Sequence, residues 1–364
     1  MRKKAATLLL VCGSIAIAVG CSTTTSSHFL YAAIPASSEI IAYREDPNSG
    51  ILTPLSVSPI LAGPGVQSIA IHPSKKFLYA ANSGVTPQGN ISLYTISSTG
   101  TLTEVTPRTN VGSVPTILTM DSAGSFLYVG NSGSEDISVF SIDASSGALT
   151  PVQQQNSTTA PIGVSPMNMK LSPSGNFLYV TGGQTQGFVE VFTVSQGVLS
   201  PLQPNSVFIT GNNPFGLVIN SSGTFLYTAN KGDNTLSEFT INADGSLTQL
   251  QNSPLGGSFT GPVSLFIDKS GKYLYVANQG STNLVAFSIQ SDGGLTVLSS
   301  SPFGTGSNPS FIASDPNGKF LFVGNQGSSS TSVQSFALDT NSGTLTSVQT
   351  YTVPATATSI AVTD

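Results

Sequence analysis

An all-β, seven-bladed β-propeller is the fold this sequence predicts, and three observations predict it. The first is a Phe-Leu-Tyr triplet or close variant at residues 29–31, 77–79, 126–128, 177–179, 225–227, 273–275 and 320–322. Seven copies at spacings of 48, 49, 51, 48, 48 and 47 residues mark a tandem structural unit. The second is a Gly-x-Leu-Thr turn or close variant in every copy, beginning at Gly50, Gly100, Gly147, Gly197, Gly245, Gly293 and Gly343. The third is that the first copy lacks an opening strand, and a matching segment stands at the other end, Thr358 to Asp364.

The copy from Val263 to Leu298 shows the unit. Val263–Ile267 alternates with period two and reads as a first strand. Asp268–Gly271 is a turn, with Gly where positive φ is wanted. Tyr273–Ala277 is a second strand, apolar on both faces, as expected of a strand sandwiched between neighbouring sheets. A loop from Asn278, a third strand at Leu284–Ile289, a turn at Ser291–Gly294 and a fourth strand at Leu295–Leu298 complete it. Four short antiparallel strands per unit make a propeller blade. The tail pairs beside Phe29–Ala33 and closes the ring, which removes an open sheet edge.

Strand directions divide the loops. Loops leading into first strands and loops between second and third strands share one face; the two hairpin turns share the other. Asn82, Asn131, Asn230, Asn278 and Asn325 recur on the first face, and their recurrence assigns them to turn formation rather than ligand contact. Lys75, Lys76, Lys269, Lys272 and Lys319 fall on the turn face as solvated residues.

Charged residues are only 8% of the chain, against about 25% in typical soluble proteins, so the surface is expected to be polar and uncharged. A net charge of −5 without basic clusters excludes nucleic acid as a partner. Residues 1–21 read as an export leader. Arg2-Lys3-Lys4 is followed by an apolar run from Ala5 to Val19, which ends in Ala18-Val19-Gly20-Cys21. This ending resembles the bacterial lipobox. The resemblance makes Cys21 the lipidated N-terminus and the membrane the partner through that lipid. With Ser22 next, it places an exported lipoprotein in the outer membrane of the cell envelope. Residues 22–27 form a tether and 28–364 the single propeller domain. Cys12 lies in the removed segment, so the mature chain has no disulfide.

The period, the Phe-Leu-Tyr-Val strand and the Gly-x-Leu-Thr turn together resemble the seven-bladed lactonase propellers, the group that includes 6-phosphogluconolactonase. The strands also resemble surface propellers of the YVTN type. The resemblance covers about Ser27 to Asp364. It implies a Gly-Pro-Arg-His stretch leading into one inner strand, whose Arg and His polarise a lactone carbonyl and move protons. The best local match is Gly261-Pro262-Val263-Ser264, with Val and Ser where Arg and His are expected, so no catalytic residue carries over.

Other chemistries find little support. There is no Gly-x-Ser-x-Gly elbow. His28 and His72 are assigned surface or packing roles. Asp46–Gly50 and Asp315–Gly318 lack the carboxylates of a calcium loop and read as turns. No metal and no cofactor is expected. Lys170, the one charge on an inner strand, and Arg108 are the weak catalytic candidates, and Asn168 with Lys170 the candidate ligand contacts. The residues themselves favour a lipid-anchored binding or interaction module for a small molecule, carbohydrate or protein. The resemblance supplies the alternative, a lactonase-like hydrolase acting on sugar lactones.

Overall fold

A computed structural model describes residues 28–155, 157–257, 259–327 and 331–363. The leader, Cys21 and the tether lie outside the described residues. Among those described, seven antiparallel sheets follow one another and no helix forms.

Each sheet is a blade, numbered here by its second strand. Blade 1 combines Ser359–Val362, His28–Ile34, Glu39–Glu45 and Leu52–Pro54. The inner strands of blades 2 to 7 are Val66–Ile71, Pro115–Met120, Asn168–Leu171, Pro214–Ile219, Pro262–Ile267 and Pro309–Ser314. The closure expected from sequence is present: Leu30, Tyr31, Ala32 and Ala33 pair with Val362, Ala361, Ile360 and Ser359. The Phe29 N–H donates to Thr363 Oγ1 and the Thr363 N–H to the Phe29 carbonyl, both at 2.8 Å.

No blade holds a core of its own. The buried apolar side chains form seven clusters, and each straddles two adjacent blades. This is why the second strands are apolar on both faces: Leu78 and Tyr79, adjacent in blade 2, pack into the clusters shared with blades 1 and 3 respectively. Fully burying such a side chain contributes about 1.5–3 kcal/mol.

The two sequence repeats meet at the seams. The first aromatic of each triplet packs on the turn glycine of the following blade: Phe29 on Gly100, Phe77 on Gly147, Phe126 on Gly197, Phe177 on Gly245, Phe225 on Gly293, Tyr273 on Gly343 and Phe320 on Gly50. A Cβ on Gly100 would stand 2.3 Å from the Phe29 ring, and φ there is +82°, so the site excludes other residues twice over. The third aromatic then latches the same turn. Tyr31, Tyr79, Tyr179, Tyr227 and Tyr275 donate their hydroxyls to the carbonyls of Gly100, Gly147, Gly245, Gly293 and Gly343 at 2.7–3.1 Å. Between blades 3 and 4 Gln154 Nε2 reaches the Gly197 carbonyl instead.

The outer edge departs from four equal strands. In blades 1, 3, 4 and 6 the outer strand covers only one end of its neighbour, and a second short piece pairs with the other: Ile60–Leu61, Thr159–Pro161, Val207–Ile209 and Phe303–Gly304. Blades 2 and 7 span the whole edge with one bulged strand, Leu102–Asn110 and Leu345–Thr352.

Candidate functional site

The inner strands of the seven blades surround a central channel, which holds a cavity of about 590 Å³. Its wall is made of residues that alternate away from the seams. Ser68, Ser264 and Ser359 stand at the same inner-strand position. Each accepts a hydrogen bond from a backbone N–H of the following blade, those of Leu118, Ile312 and Ile69, at 3.2–3.3 Å. A hydroxyl used as acceptor still has its hydrogen to donate. Gln67, Thr116, Asn168, Gln279, Ser310, Gln326 and Thr358 add further polar groups, and Met167, Phe215 and Phe311 add apolar surface.

Among the described residues lining this cavity there is one ionisable group, Lys170. Its side chain is open to the channel, yet protein surrounds it on all sides within the ring. That withdrawal from bulk water holds its ammonium below the usual lysine range. Asn168 lies two residues away on the same strand and the same wall. Its Nδ2 donates to the Phe215 carbonyl at 3.2 Å and its Oδ1 accepts from the Met169 N–H, so the amide is fixed in orientation. Phe215 is partly exposed at the wall, with Lys231 Nζ 5.3 Å from its ring centre. Gln279 Nε2 donates to Gln326 Oε1 at 3.1 Å and ties the walls of blades 6 and 7.

Arg108 does not join Lys170. It lies on Leu102–Asn110, the outermost strand of blade 2, and both its Nε and Nη2 donate to Glu104, at 2.6 and 3.2 Å. The sequence pattern places it at the correct end of its blade but leaves its distance from the axis open. Its pairing with Glu104 spends the guanidinium on the rim. Asp136 and Asp233 are likewise engaged locally, with Asn131 and with the Asn212 N–H.

The recurrent asparagines are structural in a more specific way than turn formation. Asn82, Asn131, Asn230, Asn278 and Asn325 are buried at the ends of second strands, and each Nδ2 donates to a side chain at the start of the third. His72 packs between blades 2 and 3, with Nε2 2.9 Å from the Gly124 carbonyl.

Sequence reasoning missed one group. His28, Glu45 and Asp315 are all buried, and one ligand-type atom from each lies within 4.8 Å of the others. Burial first, then the nearby Asp315 and Asp46, pushes the Glu45 carboxyl up to about 8. The signal was available: Glu45 is a carboxylate on a third strand at a position that is aliphatic in every other copy.

The comparisons with known proteins agree with this architecture. A family model described as "Lactonase, 7-bladed beta-propeller" matches residues 22–166, 155–304 and 284–362. The chain is similar to a 6-phosphogluconolactonase of Blochmanniella pennsylvanica, 33% identical over 34% of this chain and 35% of the relative. It is 38% identical to the 6-phosphogluconolactonase of Cronobacter sakazakii over 30% of this chain and 31% of the relative. It thus matches about a third of the length of these curated relatives. Among solved structures, a periplasmic gluconolactonase of Pseudomonas aeruginosa superposes with a TM-score of 0.77 at 22% identity, covering 93% of this chain and 99% of that one. At that identity the likeness speaks for the fold.

Proposed function

Because the chain belongs to the seven-bladed β-propeller lactonase family, we propose that it is a lactone hydrolase that works in its central channel at Lys170. The family and the named relatives favour hydrolysis over the binding module that the bare residues suggested. The observation that carries the reading is the isolation of Lys170: one amine in a wall otherwise built from hydroxyls, amides and apolar groups. Such a wall suits a polyhydroxylated sugar lactone, whose hydroxyls need donors and acceptors while its ring packs on apolar surface.

The chemistry needs one proton moved twice. The lowered ammonium pKa enlarges the share of Lys170 present as amine, and that amine takes a proton from a water that attacks the lactone carbonyl carbon. Channel hydroxyls such as Ser68 and Ser264 donate to the carbonyl oxygen as negative charge gathers there. The Lys170 ammonium then returns the proton to the ring oxygen as the carbon–oxygen bond breaks. Water and lactone become one hydroxy acid and the amine is regenerated.

Purified protein incubated with δ-gluconolactone and with its 6-phosphate tests this. Hydrolysis above the spontaneous rate that is lost in Lys170→Ala is the expected result. Equal rates in parent and variant would remove Lys170 from the reaction. Saturable lactone binding without hydrolysis would restore the binding-module reading. The feature that favours binding is that the wall apart from Lys170 is uncharged.

Export and lipidation at Cys21 belong to the same proposal, as an envelope enzyme tethered through residues 22–27. Metabolic labelling with a fatty acid should mark the parent chain and leave Cys21→Ala unlabelled.

A further inference from the structure

The third strand of each blade ends opposite the residue that precedes the Phe-Leu-Tyr triplet. In blades 2 to 7 the residue at that end is Ile96, Ile142, Val194, Ile241, Ile289 and Leu338, each donating its N–H across the strand pair. Blade 1 has Glu45 there, opposite His28. Six aliphatic residues and one glutamate at a seam position point to a purpose other than packing, because burying an uncompensated carboxylate is costly.

Glu45 is only 1% exposed, and among the described residues its Oε1 has no hydrogen-bond partner. Its Oε2 lies 3.2 Å from His28 Nδ1. From blade 7, across the closing seam, Asp315 brings a second buried carboxylate. Asp315 is held rigidly: its Oδ1 accepts the N–H groups of Lys319 and Phe320, and its Oδ2 that of Asn317. Two carboxyl groups this close together out of water are relieved by a proton, by a charged imidazole or by a bound cation, and the cluster offers ligand atoms for the last. The nearby Lys269 ammonium is directed elsewhere, to the Pro316 carbonyl. Asp315 also borders an open cavity of about 310 Å³.

We propose that His28, Glu45 and Asp315 form a divalent-cation site that clamps blade 7 to blade 1. One imidazole nitrogen and two carboxylates suit a zinc-type ion, with water completing the shell; calcium prefers an all-oxygen set of six to eight. Ligand atoms at about 2.0–2.1 Å around a tetrahedral ion stand about 3.3 Å apart, close to the present separation of His28 Nδ1 and Glu45 Oε2. The ion would tie the turn-face ends of blades 1 and 7 to each other, so its effect falls on stability.

The test uses the protein without a polyhistidine tag, stripped with EDTA and titrated with Zn2+. We expect one zinc retained per chain after gel filtration and a melting temperature raised by several degrees. Glu45→Ile restores the residue type of the other six blades. That variant is expected to fold, to melt independently of zinc and to retain none; His28→Ala is expected to lose zinc as well. A parent that retains no zinc and melts alike with and without it overturns the proposal. So does a Glu45→Ile protein that retains zinc like the parent, since the metal would then sit elsewhere.

Discussion

The seam between blades 1 and 2 and the seam between blades 7 and 1 begin from the same repeat and are finished differently. At the first, Phe29 packs on Gly100, Tyr31 latches the Gly100 carbonyl and Ile96 fills the turn-face end. At the second, Phe320 packs on Gly50 but Phe322 has no hydroxyl to latch with. Tyr351 instead accepts from the Leu52 N–H, and Glu45 stands in the aliphatic place. Positions that obey the repeat explain the ring. Positions that break it, Glu45 at a seam and Lys170 in the channel, are where chemistry is to be sought, because each costs burial or desolvation that the fold does not need.

The largest expected effect is at closure. Deleting residues 357–364 removes the inner strand of blade 1 and leaves the edge of His28–Ile34 unpaired. Loss of a cooperative melt is expected; parent-like melting would mean the ring does not depend on this strand pair. Next come the aromatic locks. Phe29→Ala and Phe320→Ala should each cost about 3–5 kcal/mol in urea unfolding, since both leave a cavity over a turn glycine. A much smaller loss for Phe320 would show that the closing seam is held by other contacts.

The tyrosine latches give a finer contrast. Tyr79→Phe leaves the buried Gly147 carbonyl without its donor and should cost about 1–3 kcal/mol. Tyr128→Phe should cost less, because Gln154 serves the corresponding Gly197 carbonyl.

Titration offers another. Glu238 is buried in a seam strand, and burial pushes its carboxyl up to about 7 from an ordinary 4.5. The folded protein then holds the proton more tightly than the unfolded chain. Stability from this group is full below pH 4.5, declines as the pH rises to about 7 and stays lost above. Glu238→Gln should flatten the melting temperature across that interval. An unchanged slope would assign it to other groups, such as Glu190, which burial shifts in the same direction. Smallest of all, Arg108→Ala removes an outer-edge pair with Glu104 worth about 0–1 kcal/mol and should leave lactone hydrolysis unchanged.

The repeat made most of this fold legible. Period, turn glycines and the displaced strand at Ser359–Val362 together determine blade number and closure. The split outer edges were not legible, because segments such as Thr159–Pro161 are only three residues long and put a single small side chain, Ala160, into the core, too little for an alternating pattern to show. Lys170 and Asn168 could be placed on the channel because inner strands are recognisable. Arg108 could not be placed radially, since its height along a strand says nothing of how far that strand lies from the axis. His28, Glu45 and Asp315 are remote in sequence and meet only after the ring closes. Only a register-by-register comparison of blades would have marked Glu45 as foreign.

The most direct test of Lys170 as the channel's working group is the pH dependence of kcat/KM for δ-gluconolactone, corrected for spontaneous opening, in the parent and in Lys170→Met. We expect the parent's rate constant to climb with pH through a pKa below the ordinary lysine value, and the variant to show no such climb. The same profile in both proteins would contradict the account.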